Sequence, residues 1–298
     1  MQVAISGASG LIGRPLAERL RRAGHGVLRL VRRESAEADE VRFDPQAGRL
    51  DGDRLEGLDA VVHLAGENIA SGPWTADRRR RIRDSRVNGT DLVARTLASL
   101  ARPPRVMISA SAIGYYGDRG DEILGEEQSA GEGFLAETCV AWERATAAAE
   151  RAGLRVVRLR IGVVLAARGG ALARMVPLFR AGLGGRVGHG RQFMSWIAAE
   201  DVLRVIEHAL GAGDLRGSVN AVSPTPVRNQ EFARILGRVL KRPAILPVPA
   251  AAIRLALGQM GQELLLASSR VVPRRLEESG FRHVLPDLES ALRSELGR

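Results

Sequence analysis

The 298-residue chain carries 44 basic and 34 acidic side chains, a net charge of +10, and its length suits one large domain or two small ones. No stretch approaches the roughly 18 apolar residues of a membrane helix, and the chain enters a strand without a basic leader, so a cytoplasmic protein without a membrane partner is expected. A single cysteine, Cys139, excludes an internal disulfide and a multi-cysteine metal site.

The positive charge does not point to nucleic acid. Lys241 is the only lysine, and the arginines are scattered among carboxylates apart from the run Arg78-Arg79-Arg80-Arg81. Two tyrosines and few other aromatics leave little to stack on bases. The run reads as a solvated helix face, with a phosphate or acidic-substrate contact as the other reading.

In chain order, a strand at Gln2-Val-Ala-Ile-Ser6 runs into Gly7-Ala-Ser9-Gly10-Leu11-Ile12-Gly13 and then an amphipathic helix. Three glycines at this spacing allow a tight turn, close approach to a pyrophosphate, and packing of helix on strand. The phosphates would sit on the open N–H groups of the helix N-terminus. The pattern predicts dinucleotide binding by this loop.

A second strand is predicted at Val27–Val31, a third at Val41–Phe43, and a fourth, nearly all apolar, at Asp59–Ala65. A helix follows over Asp77–Leu100, a fifth strand at Arg105–Ala110, a helix over Gly133–Ala152, and a sixth strand at Arg155–Arg160. Strands separated by helices imply right-handed crossovers and a parallel sheet. After Gly162 the alternation breaks at glycine- and proline-rich segments, and short helices are expected over Asn229–Leu240, Ala250–Leu257 and Asp287–Leu296. The expected fold is α/β: a doubly wound parallel sheet over residues 1–162, and a smaller, partly interleaved lobe over 163–298.

The end of the second strand selects the cofactor. A carboxylate there would favour NAD. This chain has Arg32 and Arg33, which suit the 2′-phosphate of NADP(H), with Glu34 beyond the strand end as a competitor. The histidines are dispersed and show no metal spacing, so no metal is expected.

Gly7–Gly13, His63-Leu64-Ala65-Gly66-Glu67-Asn-Ile69, Arg86-Val-Asn-Gly-Thr90, Ser109-Ala-Ser111-Ala-Ile-Gly-Tyr115-Tyr116-Gly117, Gly190–Ile197 and Val222–Asn229 follow one another in an order that resembles the extended short-chain dehydrogenase/reductases. The resemblance is nearest to the atypical epimerase-family branch, and the tail from Ala244 to Phe281 fits that branch's C-terminal domain of unknown function. It implies a Rossmann-type sheet, with the cofactor lined by Gly7, Ser9, Gly10, Leu11, Ile12, Gly13, Leu64, Ala65, Gly66 and Arg86. Active relatives place a Tyr-x-x-x-Lys pair on the helix after the fifth strand, the tyrosine moving a proton. Aligned on Glu143, that helix carries Leu135 and Cys139 at the two positions, and Arg86 replaces the usual asparagine.

Ser111 persists, and Tyr116 and Tyr115 follow it. Tyr116 is the expected proton donor, with Arg86 or Arg119 lowering its pKa, and Glu67 is a further candidate. Cys139 reads as a small apolar residue. Gly182–Gly190, followed by Arg191, Gln192 and Trp196, either brings backbone close to a substrate or only reverses the chain. Asp201 is expected to cap or pin a helix. Two functions follow: an NADP(H)-dependent oxidoreductase or epimerase on a small polar or sugar-like molecule, or an NADP(H)-binding sensor or scaffold with little turnover.

Overall fold

The structure is a computed structural model that describes residues 1–34 and 36–298. The first half alternates as the sequence pattern requires. Its elements are β1 (Gln2–Ser6), α1 (Gly13–Arg22), β2 (Gly26–Val31), β3 (Glu40–Asp44), β4 (Arg49–Leu50), β5 (Ala60–His63), α2 (Ala76–Ala98), β6 (Val106–Ala112), β7 (Ile123–Leu124), α3 (Phe134–Arg144), α4 (Ala147–Arg151) and β8 (Arg155–Ile161). The second half contains β9 (Val163–Leu165), α5 (Gly170–Arg180), β10 (Phe193–Met194), β11 (Trp196–Ala198), α6 (Ala199–Gly211), β12 (Gly217–Ala221), β13 (Val227–Arg228), α7 (Asn229–Leu240), α8 (Ala250–Gly261), β14 (Arg270–Val271), α9 (Arg274–Glu278) and α10 (Leu288–Leu296).

Eight strands form one sheet in the order β12-β8-β6-β5-β1-β2-β3-β4, parallel except for the short β4 at one edge. The order reverses beside β1, which creates a crevice at the carboxyl ends of β1 and β5. Val3, Ile5, Val62, Ile108 and Leu159 face α1 and α6; Ala4, Val61, Met107 and Val156 face α2 and α4. Burial on both faces explains why these strands read as continuous apolar runs.

The predicted helix over Gly133–Ala152 is two helices, α3 and α4. The short helix expected from Ala250 continues to Gly261, but Gly258 breaks its geometry with φ 55°. The sequence pattern did not reveal β12, whose Gly217, Ser218 and Asn220 obscure the strand signal. It pairs with β8 from Gly217↔Val157 to Ala221↔Ile161, so the lobe after residue 162 completes the first half's sheet. A second core, containing Phe179, Trp196, Phe232 and Leu236, lies under α5, α7 and α10.

Candidate active site

The crevice is built from its glycines outward. Gly7 has φ +69°, and a Cβ there would stand 3.0 Å from the backbone of Leu64 and Ala65. A Cβ on Gly13 would lie 2.2 Å from the Gly7 carbonyl oxygen, so α1 packs on β1 only with glycine there. At Gly10 a Cβ would meet only the Gly7 carbonyl oxygen, at 3.1 Å, and otherwise open space. No side chain caps α1 at Ile12; the Arg14 N–H is taken by the Gly10 carbonyl at 3.1 Å and Pro15 has none, so among the described residues the N–H groups of Leu11, Ile12 and Gly13 remain open to an anion. Leu11 is 39% exposed and reaches across the cleft to Gly169 and Gly170. These features fit a dinucleotide pyrophosphate.

Ser6 ties the two loops of the crevice together. Its Oγ accepts the N–H groups of Leu64 (3.0 Å) and Ala65 (3.2 Å) and lies 2.7 Å from Nδ1 of His63. Ser6 then donates to Nδ1, which leaves the proton of the neutral ring on Nε2. His63 is completely buried, and burial pushes its pKa down to about 4. It is a neutral brace, not a base.

Arg86, on α2, supports the next stretch of the same loop. Its Nη1 donates to the carbonyls of Glu67 and Ile82, each at 3.0 Å, and its guanidinium stacks over Trp142 at 5.1 Å. A Cβ on Gly66 would touch that guanidinium at 3.4 Å. Burial lowers the Arg86 pKa. Glu67 is paired with Arg78 at 3.3 Å and Arg81 at 3.8 Å, so two members of the arginine run serve this loop.

The two arginines after β2 divide their tasks. Arg33 is committed to the fully buried Glu40 at 2.5 Å. Arg32 is exposed and makes no side-chain hydrogen bond or ion pair among the described residues. The competing carboxylate, Glu34, pairs with Arg42.

The residues after β6 correct the expected proton relay. Ser111 Oγ donates to Glu143 Oε1 at 2.8 Å. The same carboxylate accepts Nε (2.8 Å) and Nη2 (2.9 Å) of Arg160 and the Ser218 hydroxyl (2.9 Å). Burial would raise the Glu143 pKa, but the hydrogen bonds and charge of Arg160 outweigh it and hold the carboxyl below its usual range.

Tyr116 does not face the crevice. It is fully buried, accepts from Arg160 Nη1 at 2.9 Å, and donates to Asn220 Oδ1 at 2.8 Å. Burial pushes its pKa up to about 12 despite the guanidinium. The cation beside it is Arg160, neither Arg86 nor Arg119, which pairs with Glu122. Tyr115 is only partly buried, its ring rests on the Arg160 guanidinium at 3.5 Å, and its hydroxyl has no hydrogen-bond partner among the described residues. Arg160 and Glu143 were invisible as a pair in the sequence, because they lie 17 residues apart on β8 and α3. Three arginines on one strand, Arg155, Arg158 and Arg160, were the available signal, without a mark of which one is buried against a carboxylate.

Leu135 and Cys139 line α3 where it passes Gly114: a Cβ on Gly114 would lie 3.1 Å from Leu135 Cβ and 3.8 Å from the Cys139 sulfur. Burial pushes the Cys139 thiol up to about 12, so it is inert near neutral pH. The C-terminal segment closes this end. Glu263 accepts the N–H groups of Phe134 (3.1 Å) and Leu135 (2.8 Å), capping α3, and Trp74 stacks edge-on to Phe134 at 5.0 Å. Of the other expected residues, Gln192 is buried and donates to the carbonyls of Val187 and Leu265. Trp196 is a core residue. Asp201 lies in the first turn of α6 but accepts from Val284 and Leu285, so it pins the tail.

Among known proteins, residues 3–221 match the NAD dependent epimerase/dehydratase family, and residues 248–295 match a domain of unknown function, DUF1731. The epimerase family protein Mb2239 of Mycobacterium bovis is 46% identical over 279 residues, covering 94% of this chain and 92% of that protein. The crystal structure of human epimerase family protein SDR39U1 (isoform2) with NADPH superposes with a TM-score of 0.90 at 31% identity, covering 100% of this chain and 99% of that one. A nucleoside-diphosphate sugar epimerase from Corynebacterium glutamicum superposes at 0.83 with 38% identity, covering 100% of this chain and 58% of that one. With most of its length matched by the family model and a glycine cradle of the corresponding form, the chain belongs to the NAD dependent epimerase/dehydratase family.

Proposed function

We propose that this chain binds NADP(H) and works as an oxidoreductase or epimerase on a small polar or sugar-like molecule. The carrying observation is the cradle of Gly7, Gly10 and Gly13, which leaves open space above Gly10 at an uncapped helix N-terminus. Ser9, Leu11 and Ile12 complete the phosphate loop, while Leu64, Ala65 and Gly66 form the opposite wall. Arg32, exposed at the end of β2, takes the 2′-phosphate. Arg33 keeps the loop in place through Glu40. The human relative bound to NADPH supports the cofactor choice.

When bound, the cofactor supplies hydride chemistry. The chain must then move a proton. Tyr115 is the donor this geometry favours, because its hydroxyl is uncommitted and Arg160 lies under its ring. Ser111 positions the loop through Glu143.

One observation favours the other reading, an NADP(H)-binding sensor or scaffold. Ser111 gives its proton to Glu143, and α3 presents Leu135 and Cys139 at the positions of the usual proton relay. A screen of carbonyl compounds and nucleotide sugars for NADPH oxidation, with product analysis for epimers, separates the two. Turnover that disappears in Tyr115→Phe supports the enzyme. Tight NADPH binding with no turnover across the screen supports the sensor.

A further inference from the structure

The chain is +10 overall, but its charge is unevenly placed. Residues 151–199 contain no Asp or Glu, and neither do residues 232–262. The fold brings parts of these two acid-free stretches together. Leu246 N–H donates to the Gly184 carbonyl at 3.2 Å, Val248 N–H to the Arg186 carbonyl at 2.9 Å, and Arg242 Nε to the Arg180 carbonyl at 3.1 Å. The join exposes Leu183 (56%), Ile245 (77%) and Leu246, and Leu178, near the end of α5, is exposed as well. Helix α8 leaves directly from it. Gly258, at φ 55°, breaks that helix, so Met260 and Gly261 are buried while the preceding turns stand in solvent. Leu255 on those turns is 91% exposed.

The rim is cationic. Arg180, Arg186, Lys241, Arg242 and Arg254 are all exposed, and none forms an ion pair among the described residues. Some arginines elsewhere are matched by carboxylates, as Arg19 is by Glu200 and Glu207; here the two segments that build the face hold no Asp or Glu that could match them. Exposed aliphatic side chains without aromatic anchors, with unmatched cations in the same segments, differ from a protein interface, whose core is enriched in Tyr, Trp, Phe and Met. It matches the requirements of an anionic bilayer surface: aliphatic groups to enter the acyl boundary and cations to meet the headgroups.

We propose that the α8 face, with the Leu183–Arg186 and Lys241–Leu246 segments, docks on anionic lipid membranes as a peripheral contact. This is independent of the cofactor reading, and it differs from the expectation of no membrane partner, which rested on the absence of a spanning segment. The exposed aliphatic side chains and the cations act together, so either half alone gives weak binding.

The test is sedimentation of the full chain with vesicles of phosphatidylglycerol and phosphatidylcholine, against vesicles of phosphatidylcholine alone. Binding is expected only to the anionic vesicles, and it weakens as salt rises. Arg180→Gln with Lys241→Gln should weaken it about 30-fold, on the scale of one surface cation per fivefold or so. Leu255→Asp should weaken it at least about tenfold by removing apolar entry. Circular dichroism and NADPH titration verify that these variants remain folded. Equal binding to neutral vesicles, no binding to either, or wild-type binding by both variants overturns the proposal. So does light scattering that shows a dimer which Leu255→Asp dissolves, since a second copy of the chain then covers the patch.

Discussion

Ser111 donates its hydroxyl hydrogen to Glu143 at 2.8 Å, and the oxygen that receives it also receives Arg160 Nε at 2.8 Å. The serine thus belongs to a buried ion-pair network that also holds Tyr116 and Ser218. Breaking such a network from one side leaves a charge buried without its partner, which costs about 3–5 kcal/mol. Glu143→Ala should therefore lower the urea midpoint sharply. Glu143→Gln, which keeps the acceptor oxygen, should lower it less. Equal midpoints for wild type and Glu143→Ala would remove the network from the stability of the fold.

The two adjacent tyrosines should behave oppositely. Tyr116→Phe deletes a hydroxyl that bridges Arg160 and Asn220, so it should cost about 1–3 kcal/mol of stability and leave turnover close to wild type. Tyr115→Phe should leave stability nearly unchanged and cut turnover by about 10²–10⁴-fold. Denaturation curves and NADPH oxidation rates on the same preparations decide this. The reverse pattern would return Tyr116 to the role expected from the sequence.

Cofactor selection should rest on one arginine more than on the other. Arg32→Ala should weaken NADPH by about 1–3 kcal/mol, the scale of a charge-assisted hydrogen bond, with NADH affinity unchanged. Arg33→Ala instead disturbs the ion pair with Glu40 and should affect both cofactors and stability. Fluorescence titration of both cofactors against each variant measures this; an identical loss for NADPH and NADH in Arg32→Ala would exclude a 2′-phosphate contact.

Gly10→Val should abolish binding of either cofactor while circular dichroism stays at wild type, because the added carbons enter the space above the phosphate loop. Gly13→Val should instead unfold or severely destabilise the protein, since its Cβ would already collide with Gly7. Retained NADPH affinity in Gly10→Val would place the phosphates elsewhere.

Burial depresses the His63 pKa from 6.5 to about 4. A depressed folded pKa contributes stability above the unfolded value and loses it as pH falls through the folded one. Stability should decline from about pH 6.5 towards pH 4, with His63 contributing about 2 kcal/mol of the fall by pH 5. His208 and His283 are lowered in the same direction by burial, so His63→Gln should flatten part of the slope rather than all of it. Urea midpoints near pH 7.5 and pH 5 test the difference; an unchanged slope in His63→Gln would contradict the buried neutral state.

The cofactor half of the site was legible because its physics is local. A strand, three glycines and a helix are neighbours in sequence, and Gly10 and Gly13 meet the Gly7 carbonyl oxygen within the same turn; the contact of Gly7 with Leu64 and Ala65 is the one that comes from across the sheet. The arginines after β2 could be read as anion ligands, but not sorted. Only the fold brings Glu40 onto Arg33. Tyr116 was misplaced for a similar reason. Its proximity to Ser111 along the chain suggested a shared pocket, yet its hydroxyl is claimed by Arg160 on β8 and Asn220 on β12, 44 and 104 residues away. Nothing in a local pattern carries pairings at that range.

The placement of β12 has a consequence during synthesis. As the chain leaves the ribosome, β8 emerges with one side unpaired, and the strand that covers it follows only after residue 217. Through that interval the nascent sheet ends in an open edge, and Arg160 waits for Asn220 to fix Tyr116. Exposed edges of this kind recruit other strands and invite aggregation. Fragments ending near residue 162 should therefore precipitate or bind chaperones, and fragments extending past Ala221 should become markedly more soluble.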